Sequence, residues 1–136
     1  MQLLNKNTDY AIRALLQAAS AGGEYVSSSK IAIEEDIPLH FVRRILQELV
    51  KAGYLLSREG SGGGVKLNKA PDKITIREIL NLFQGDIQIT SCMFRRKICS
   101  KRATCVLRKR IQGIERKVIE EFSAFTIQDL LNDMGV

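Results

Sequence analysis

Residues 37–68, IPLHFVRRILQELVKAGYLLSREGSGGGVKLN, join an amphipathic segment to a glycine-rich turn, and that order decides the fold. Val42, Ile45, Leu46, Leu49 and Val50 recur with the spacing of a helix that packs one face. His40, Arg43, Arg44, Gln47 and Lys51 fall on the opposite face. Pro38 suits a first helical turn, and Gly53 suits the position that closes the last one. Taken alone, such a row of donors and charge is also what a merely solvated face looks like. The following residues change that reading. YLLSR (54–58) alternates weakly as a strand does, EGSGGG (59–64) gives the backbone freedom for a tight turn, and VKLN (65–68) reads as the returning strand. Ala70-Pro71 closes the unit.

Upstream, residues 8–21 are predicted to be helical, because Ala11, Ala14, Leu15, Ala18 and Ala19 recur at helical spacing and Thr8 or Asp9 can cap them. AGG (21–23) ends that helix. SSSKIAIEED (27–36) reads as a serine cap leading into a short helix. Helix, short helix, amphipathic helix and glycine-tipped hairpin is the order of a winged helix-turn-helix. In that architecture the third helix enters the major groove of double-stranded DNA and the hairpin lies beside it, on the backbone or in the minor groove. Glycines there let backbone amides approach phosphates closely. The expected DNA-contacting residues are Ser28 and Ser29, then His40, Arg43, Arg44 and Gln47, then Arg58, Ser61, Gly62, Gly63 and Lys66 on the wing. Arg43 or Arg44 is expected to read a guanine edge, which an arginine fork can do with two bonds.

Downstream, Thr75 and Glu78 form a capping-box pattern ahead of Ile76, Ile79, Leu80 and Phe83. A long helix is expected from about residue 103 to residue 124. Leu107, Ile111, Ile114, Val118, Phe122 and Phe125 recur along it at alternating three- and four-residue steps, as in helices that pack on other long helices. The stripe could pack on its own domain, but the unit spanning residues 1–71 leaves little surface for it, which favours a homodimer held by Leu107, Ile111, Ile114, Val118 and Phe122. Thr126 and Asp129 make a second capping box for a last helix through Leu130 and Leu131. The expected fold class is mainly α with a small β-hairpin wing: a winged helix-turn-helix DNA-binding domain over residues 1–71, then a cysteine loop and dimerisation helices over residues 72–136.

Composition agrees with a polyanionic partner: the chain of 136 residues carries a net charge of +6 and a pI near 9.4. Apolar residues make up 45%, enough for a real core. The N-terminus has no basic run followed by an apolar one, and no apolar stretch approaches the length of a membrane span, so a cytoplasmic protein without membrane contact is expected. No GxSxG, HExxH, phosphate-binding loop or dinucleotide fingerprint is present, so neither an enzyme nor a small-molecule substrate is expected.

Cys92, Cys99 and Cys105 are the only three cysteines, with six and then five residues between them. Those gaps are too wide for the paired knuckles of a zinc ribbon. Between Arg95 and Arg110 lie eight basic residues and no acidic one. Cations beside thiols favour thiolates, and here they would also offset the negative charge of a thiolate-ligated iron–sulfur cluster. The open readings are a bound metal or cluster, a thiol redox switch, or three unliganded thiols; the odd number and the polar surroundings in a reducing compartment favour the first.

Along essentially its whole length the chain resembles the IscR/NsrR-type (Rrf-two) family of winged helix-turn-helix regulators. The resemblance rests on TDYAIRALL (8–16), IPLHFVRRILQELVKAGYL (37–55), GSGGGVKL (60–67), ITIREIL (74–80), the three cysteines and TIQDLL (126–131). It implies a homodimer on an imperfect palindrome and an iron–sulfur cluster on Cys92, Cys99 and Cys105. The cluster would control operator affinity in response to nitric oxide, redox state, iron or cluster status, for example as a repressor. There are departures. IscR-like members often place a histidine three residues beyond the last cysteine, where this chain has Arg108; that weighs for [4Fe–4S] over [2Fe–2S]. The first cysteine gap is one residue longer than in IscR. NsrR-like members can use an aspartate at the start of the first helix, donated by the partner subunit. Asp9 stands there and is the candidate fourth ligand, the alternative being that it only caps the helix. The family's usual arginine before the glycine tip is Glu59 here, with Arg58 one place earlier, which leaves phosphate contact by Arg58 and Lys66 as the wing's expected role. Competing readings are a cluster-free regulator that acts through thiol redox or an enzyme partner, and a structural zinc protein.

Overall fold

Asn5, not Thr8 or Asp9, opens the first helix, α1 (Lys6–Ser20): its side chain accepts the Thr8 N–H at 2.9 Å. Thr8 is instead fully buried inside the helix, and its hydroxyl donates to Gln84 Oε1 at 2.6 Å. The same Gln84 oxygen accepts the Asn5 N–H, and the Gln84 amide donates to Leu3 O at 2.8 Å. A single glutamine thus ties the head of α1 to α4 and gives the buried Thr8 hydroxyl a partner, without which its burial would be costly. The computed structural model describes residues 2–89, 93–94, 97–98 and 100–135.

Ser27 caps α2 (Ser28–Glu35), accepting the Lys30 N–H at 3.1 Å. The next helix, α3 (Leu39–Lys51), starts after Pro38, which stands at the cap rather than in the first turn. It ends as expected, with Gly53 at φ 89° just beyond the last turn. Strands β1 (Leu55–Arg58) and β2 (Gly64–Leu67) pair antiparallel, Leu55 with Leu67 and Arg58 with Gly64. Val26 adds a bridge to this hairpin through two 2.8 Å bonds with Val65. That close approach demands Gly64, because a Cβ there would lie 2.1 Å from Val26 O.

A 3-10 turn (Pro71–Lys73) leads into α4 (Ile76–Gln84), whose capping box is formed as expected: Thr75 N–H donates to Glu78 Oε2 at 2.8 Å and Glu78 N–H to Thr75 Oγ1 at 3.2 Å. Glu78 also receives Lys69 Nζ at 3.1 Å and the Tyr54 hydroxyl at 3.3 Å. Partial burial alone would raise the Glu78 pKa, but the bonds from Thr75 and Lys69 outweigh it and hold the carboxyl below its ordinary value. Tyr54 is shifted up by burial and by the Glu78 charge it faces.

Two short strands, β3 (Met93–Phe94) and β4 (Lys97–Ile98), pair antiparallel in the cysteine segment, where no strand was expected. The long helix α5 (Val106–Ala124) starts later than residue 103, because Cys105 serves as its cap. The last helix, α6 (Ile127–Asp133), has the expected Thr126–Asp129 capping box.

The core forms around α1, which packs against α2, α3, α4, α6 and β2. Leu15, Ile31, Ile45, Leu49, Leu55, Ile79, Leu80 and Ile127 are fully buried in it. Each such side chain contributes roughly 1.5–3 kcal/mol over an exposed one. Backbone bonds from Ile76 N–H to Phe125 O (3.1 Å) and from Ile127 N–H to Ile74 O (3.0 Å) stitch α6 onto the same body. The architecture is mainly helical with a two-stranded wing, as the sequence predicts. No described helix is long and apolar enough to cross a membrane.

Candidate nucleic-acid interface and cysteine segment

Burial of Val42, Ile45, Leu46 and Leu49 turns the other side of α3 outward, so His40, Arg43, Arg44, Gln47 and Lys51 are all exposed. They are not equivalent. Arg44 leans back toward α1: its Cζ lies 5.1 Å from the Phe41 ring centre and its Nη2 donates to Asn7 Oδ1 at 3.5 Å, a long bond. Lys6 reaches the same ring at 5.5 Å, Tyr10 meets it at 6.1 Å and His40 stacks on it at 4.3 Å. Arg43, one residue earlier, has no hydrogen bond or ion pair with any described residue.

The wing stands next to α3. Leu46, Gln47, Val50, Lys51, Ser57 and Val65 line a shallow apolar cleft of about 250 Å³ between them. Ser61, Gly62 and Gly63 lie between the strands at the tip, and Arg58 Nη2 donates across it to Gly62 O at 2.9 Å. Ser28 and Ser29 are the first two residues of α2, where backbone N–H groups lack helical partners. The Val26–Val65 bridge holds that helix start against β2. The structure therefore places the start of α2 beside wing strand β2. It also adds a residue that sequence reasoning missed. The Tyr25 ring has Arg58 Cζ at 4.1 Å and Lys66 Nζ at 4.9 Å from its centre. Nothing local marks Tyr25; its place follows from pairing with a strand far along the chain.

Cys92 and Cys99 lie outside the described residues. Cys105 is half-buried at the head of α5, and its Sγ accepts the Arg108 N–H at 3.4 Å. Arg108 turns its guanidinium back to Arg102 O at 3.2 Å. Asp9 pairs with Arg13 at 3.1 Å, both side chains 45% exposed. Among the described residues no three His, Cys, Asp or Glu side chains gather into a metal-binding group. Gln84, which closes α4 ahead of this segment, is also the residue that holds the head of α1.

The apolar stripe on α5, expected to hold a dimer, is graded. Leu107 is 65% and Ile114 52% exposed, whereas Ile111, Val118 and Phe122 are half-buried. An apolar groove of about 310 Å³ runs along it, lined by Leu3, Ile114, Lys117, Val118, Glu121 and Phe122.

Residues 4–133 match the family described as "Rrf2: Iron-dependent Transcriptional regulator". The chain is 30% identical over 135 residues to the HTH-type transcriptional regulator NsrR of Geobacillus kaustophilus, covering 98% of this chain and 91% of that one. Its fold is similar to that of T. potens IscR, with a TM-score of 0.77 at 20% identity over 96% of this chain and 87% of the other. CymR, the Global Cysteine Regulator of B. subtilis, is equally similar in fold, with a TM-score of 0.77 at 24% identity over 96% of both chains. A basic winged helix-turn-helix, a family match over nearly its full length and a 30% identical regulator agree: the chain belongs to the Rrf2 family of DNA-binding transcriptional regulators, and it is not an enzyme.

Proposed function

We propose that this regulator binds a palindromic operator as a homodimer and that an iron–sulfur cluster on Cys92, Cys99 and Cys105 controls its affinity. The observation that carries the reading is Cys105 itself: its sulfur heads α5 and accepts a backbone N–H, the kind of bond that tunes a ligating sulfur. The donor set fits such a group, since three thiols lie within a segment whose eight cations would balance thiolate charge. The family's description as iron-dependent agrees. When bound, the cluster supplies iron that nitric oxide, oxygen or iron shortage can attack or remove.

The chain's own residues divide the work. Arg43, unengaged, is the base reader, with His40 and Gln47 beside it. Arg44, tied to Phe41 and Asn7, follows α1 and contacts phosphate. Ser28, Ser29, Arg58, Ser61, Gly62, Gly63 and Lys66 hold the backbone. Residues 1–71 carry these contacts, while residues 72–136 sense and dimerise, through Leu107, Ile111, Ile114, Val118 and Phe122. Asp9 is the fourth ligand, donated by one subunit to its partner's cysteines, with Oδ1 open while Oδ2 pairs with Arg13. Because Asp9, Lys6 and Asn7 share the first turns of α1, and Asn7 and Lys6 touch the α3 side chains, a change at Asp9 reaches the reading helix over a short path.

The test pairs Cys99→Ala with Asp9→Ala, assayed without oxygen on an operator selected from random duplexes. Cys99→Ala is expected to lose iron and sulfide and to hold one DNA-binding state. Asp9→Ala is expected to keep both and to change their reactivity. A Cys99→Ala protein with a full iron and sulfide complement and a normal response contradicts the reading. The second reading, a cluster-free thiol regulator, has the Asp9–Arg13 pair in its favour, since that pair already gives one carboxylate oxygen a partner within the chain. Colourless protein whose DNA affinity follows reversible thiol oxidation would establish it.

A further inference from the structure

Two cations share one aromatic ring at the wing, and among the described residues no carboxylate pairs with either. Lys66 pairs with Leu56 across the hairpin and Arg58 lies two residues beyond Leu56, so Lys66 and Arg58 project from the same face. Tyr25 sits against that face because its neighbour Val26 bridges Val65. Its ring carries Arg58 at 4.1 Å and Lys66 at 4.9 Å. The ion pairs among described residues are Arg13–Asp9 and Lys69–Glu78, so neither wing cation has an acidic partner there, Glu59 included. One Arg58 N–H is used by Gly62 O, which fixes the guanidinium at the tip and leaves its other donors open. Like charges gathered on one ring repel each other. An oxyanion between them relieves that repulsion and takes the unused donors.

We propose that Tyr25 is a positioning residue for a phosphate clamp: its ring holds Arg58 and Lys66 side by side to grip the DNA backbone next to the α3 contact. The proposal rests on the DNA-binding role of the wing and adds to it a residue outside both the reading helix and the hairpin. It also gives the wing a definite task. With Glu59 at the tip, the wing contributes affinity that is independent of base sequence, and Tyr25 sets how much.

The experiment measures the affinity of the full chain for a short duplex of mixed, non-palindromic sequence over a salt series, where binding comes from phosphate contacts. Tyr25→Leu is expected to weaken binding about five-fold and to lower the slope of log affinity against log salt by roughly one to two. Tyr25→Phe is expected to match the unmodified protein, since the ring and not the hydroxyl holds the cations. In an Arg58→Ala/Lys66→Ala background, adding Tyr25→Leu is expected to change nothing further. Tyr25 is half-buried and not part of the core cluster, and equal melting temperatures would show that the leucine variant folds. Full affinity and slope in Tyr25→Leu, with loss in the double-alanine variant, would overturn the positioning role. So would a Tyr25→Phe protein as weak as Tyr25→Leu. Normal binding by the double-alanine variant removes the clamp but leaves the regulator reading intact, whereas an unmodified protein that binds no duplex overturns both.

Discussion

Helices α3 and α5 carry apolar stripes of the same kind and meet opposite fates. On α3 the residues Val42, Ile45, Leu46 and Leu49 are at most 5% exposed. On α5, a helix of 19 residues against 13, no residue is buried. The stripe is a property of sequence, but burial depends on what lies opposite. For α3 that is α1, α2 and β1, all supplied by the same chain. For α5 the main neighbour is α4, and only near its C-terminal end does Phe122 pack against the core. The winged helix-turn-helix is thus packed within one chain, whereas the long helix leaves Leu107 and Ile114 of its apolar face exposed.

The contrast is sharpest under truncation. Leu49→Ala is expected to cost about 2–5 kcal/mol of unfolding free energy, because it opens a cavity in the core. Leu107→Ala, measured dilute enough to be monomeric, is expected to change it by less than about 0.5 kcal/mol. Equal costs in denaturant titrations would erase the distinction between the two helices. Next comes the seam itself. Ile114→Glu is expected to give monomers by sedimentation and to weaken operator binding by about 100-fold, since two half-site contacts are no longer linked. A native chain that sediments as a monomer at micromolar concentration would break the comparison from the other side.

A smaller effect separates neighbours within α3. Arg43→Ala is expected to relax preference at one base position per half-site by ~1–3 kcal/mol, while Arg44→Ala weakens all sequences alike. Binding to a set of single-base operator variants distinguishes the two patterns. The smallest effect lies at the start of α4. Glu78→Gln keeps a residue type that can close the capping box but loses the charge paired with Lys69, and is expected to cost at most about 1 kcal/mol near neutral pH. The Glu78 carboxyl is held below its ordinary value in the folded chain, so its stabilisation is present above the unfolded pKa and is lost as pH falls through the folded one. Unfolding titrations in acid are expected to show that loss in the native chain and a flatter profile in Glu78→Gln.

Local patterns were legible in the sequence, and distant pairings were not. The boxes at Thr75–Glu78 and Thr126–Asp129 involve residues three apart, and both form as read. Thr8 looks like a cap by type, yet its hydroxyl goes to Gln84, 76 residues away, which frees Asn5 to cap. Residues 103 and 104 carry helix-compatible side chains, but Cys105 takes the capping position and delays α5. Strands of two residues, such as Met93–Phe94, are too short to show any period. Tyr25 joins the wing only because Val26 meets Val65, a contact that no local spacing encodes. On α3, the stripe told which residues point outward; that Arg44 is held by Asn7 and Phe41, whereas Arg43 bonds to no described residue, needed the packing of α1 on α3.

The most direct test of cluster control is purification without oxygen, followed by iron, sulfide and zinc analysis and operator titration before and after the iron is removed. The account predicts a brown protein with comparable iron and sulfide, and an operator affinity that shifts at least about five-fold on removal. A colourless protein holding stoichiometric zinc, or a brown one whose operator affinity is the same in both forms, would contradict it.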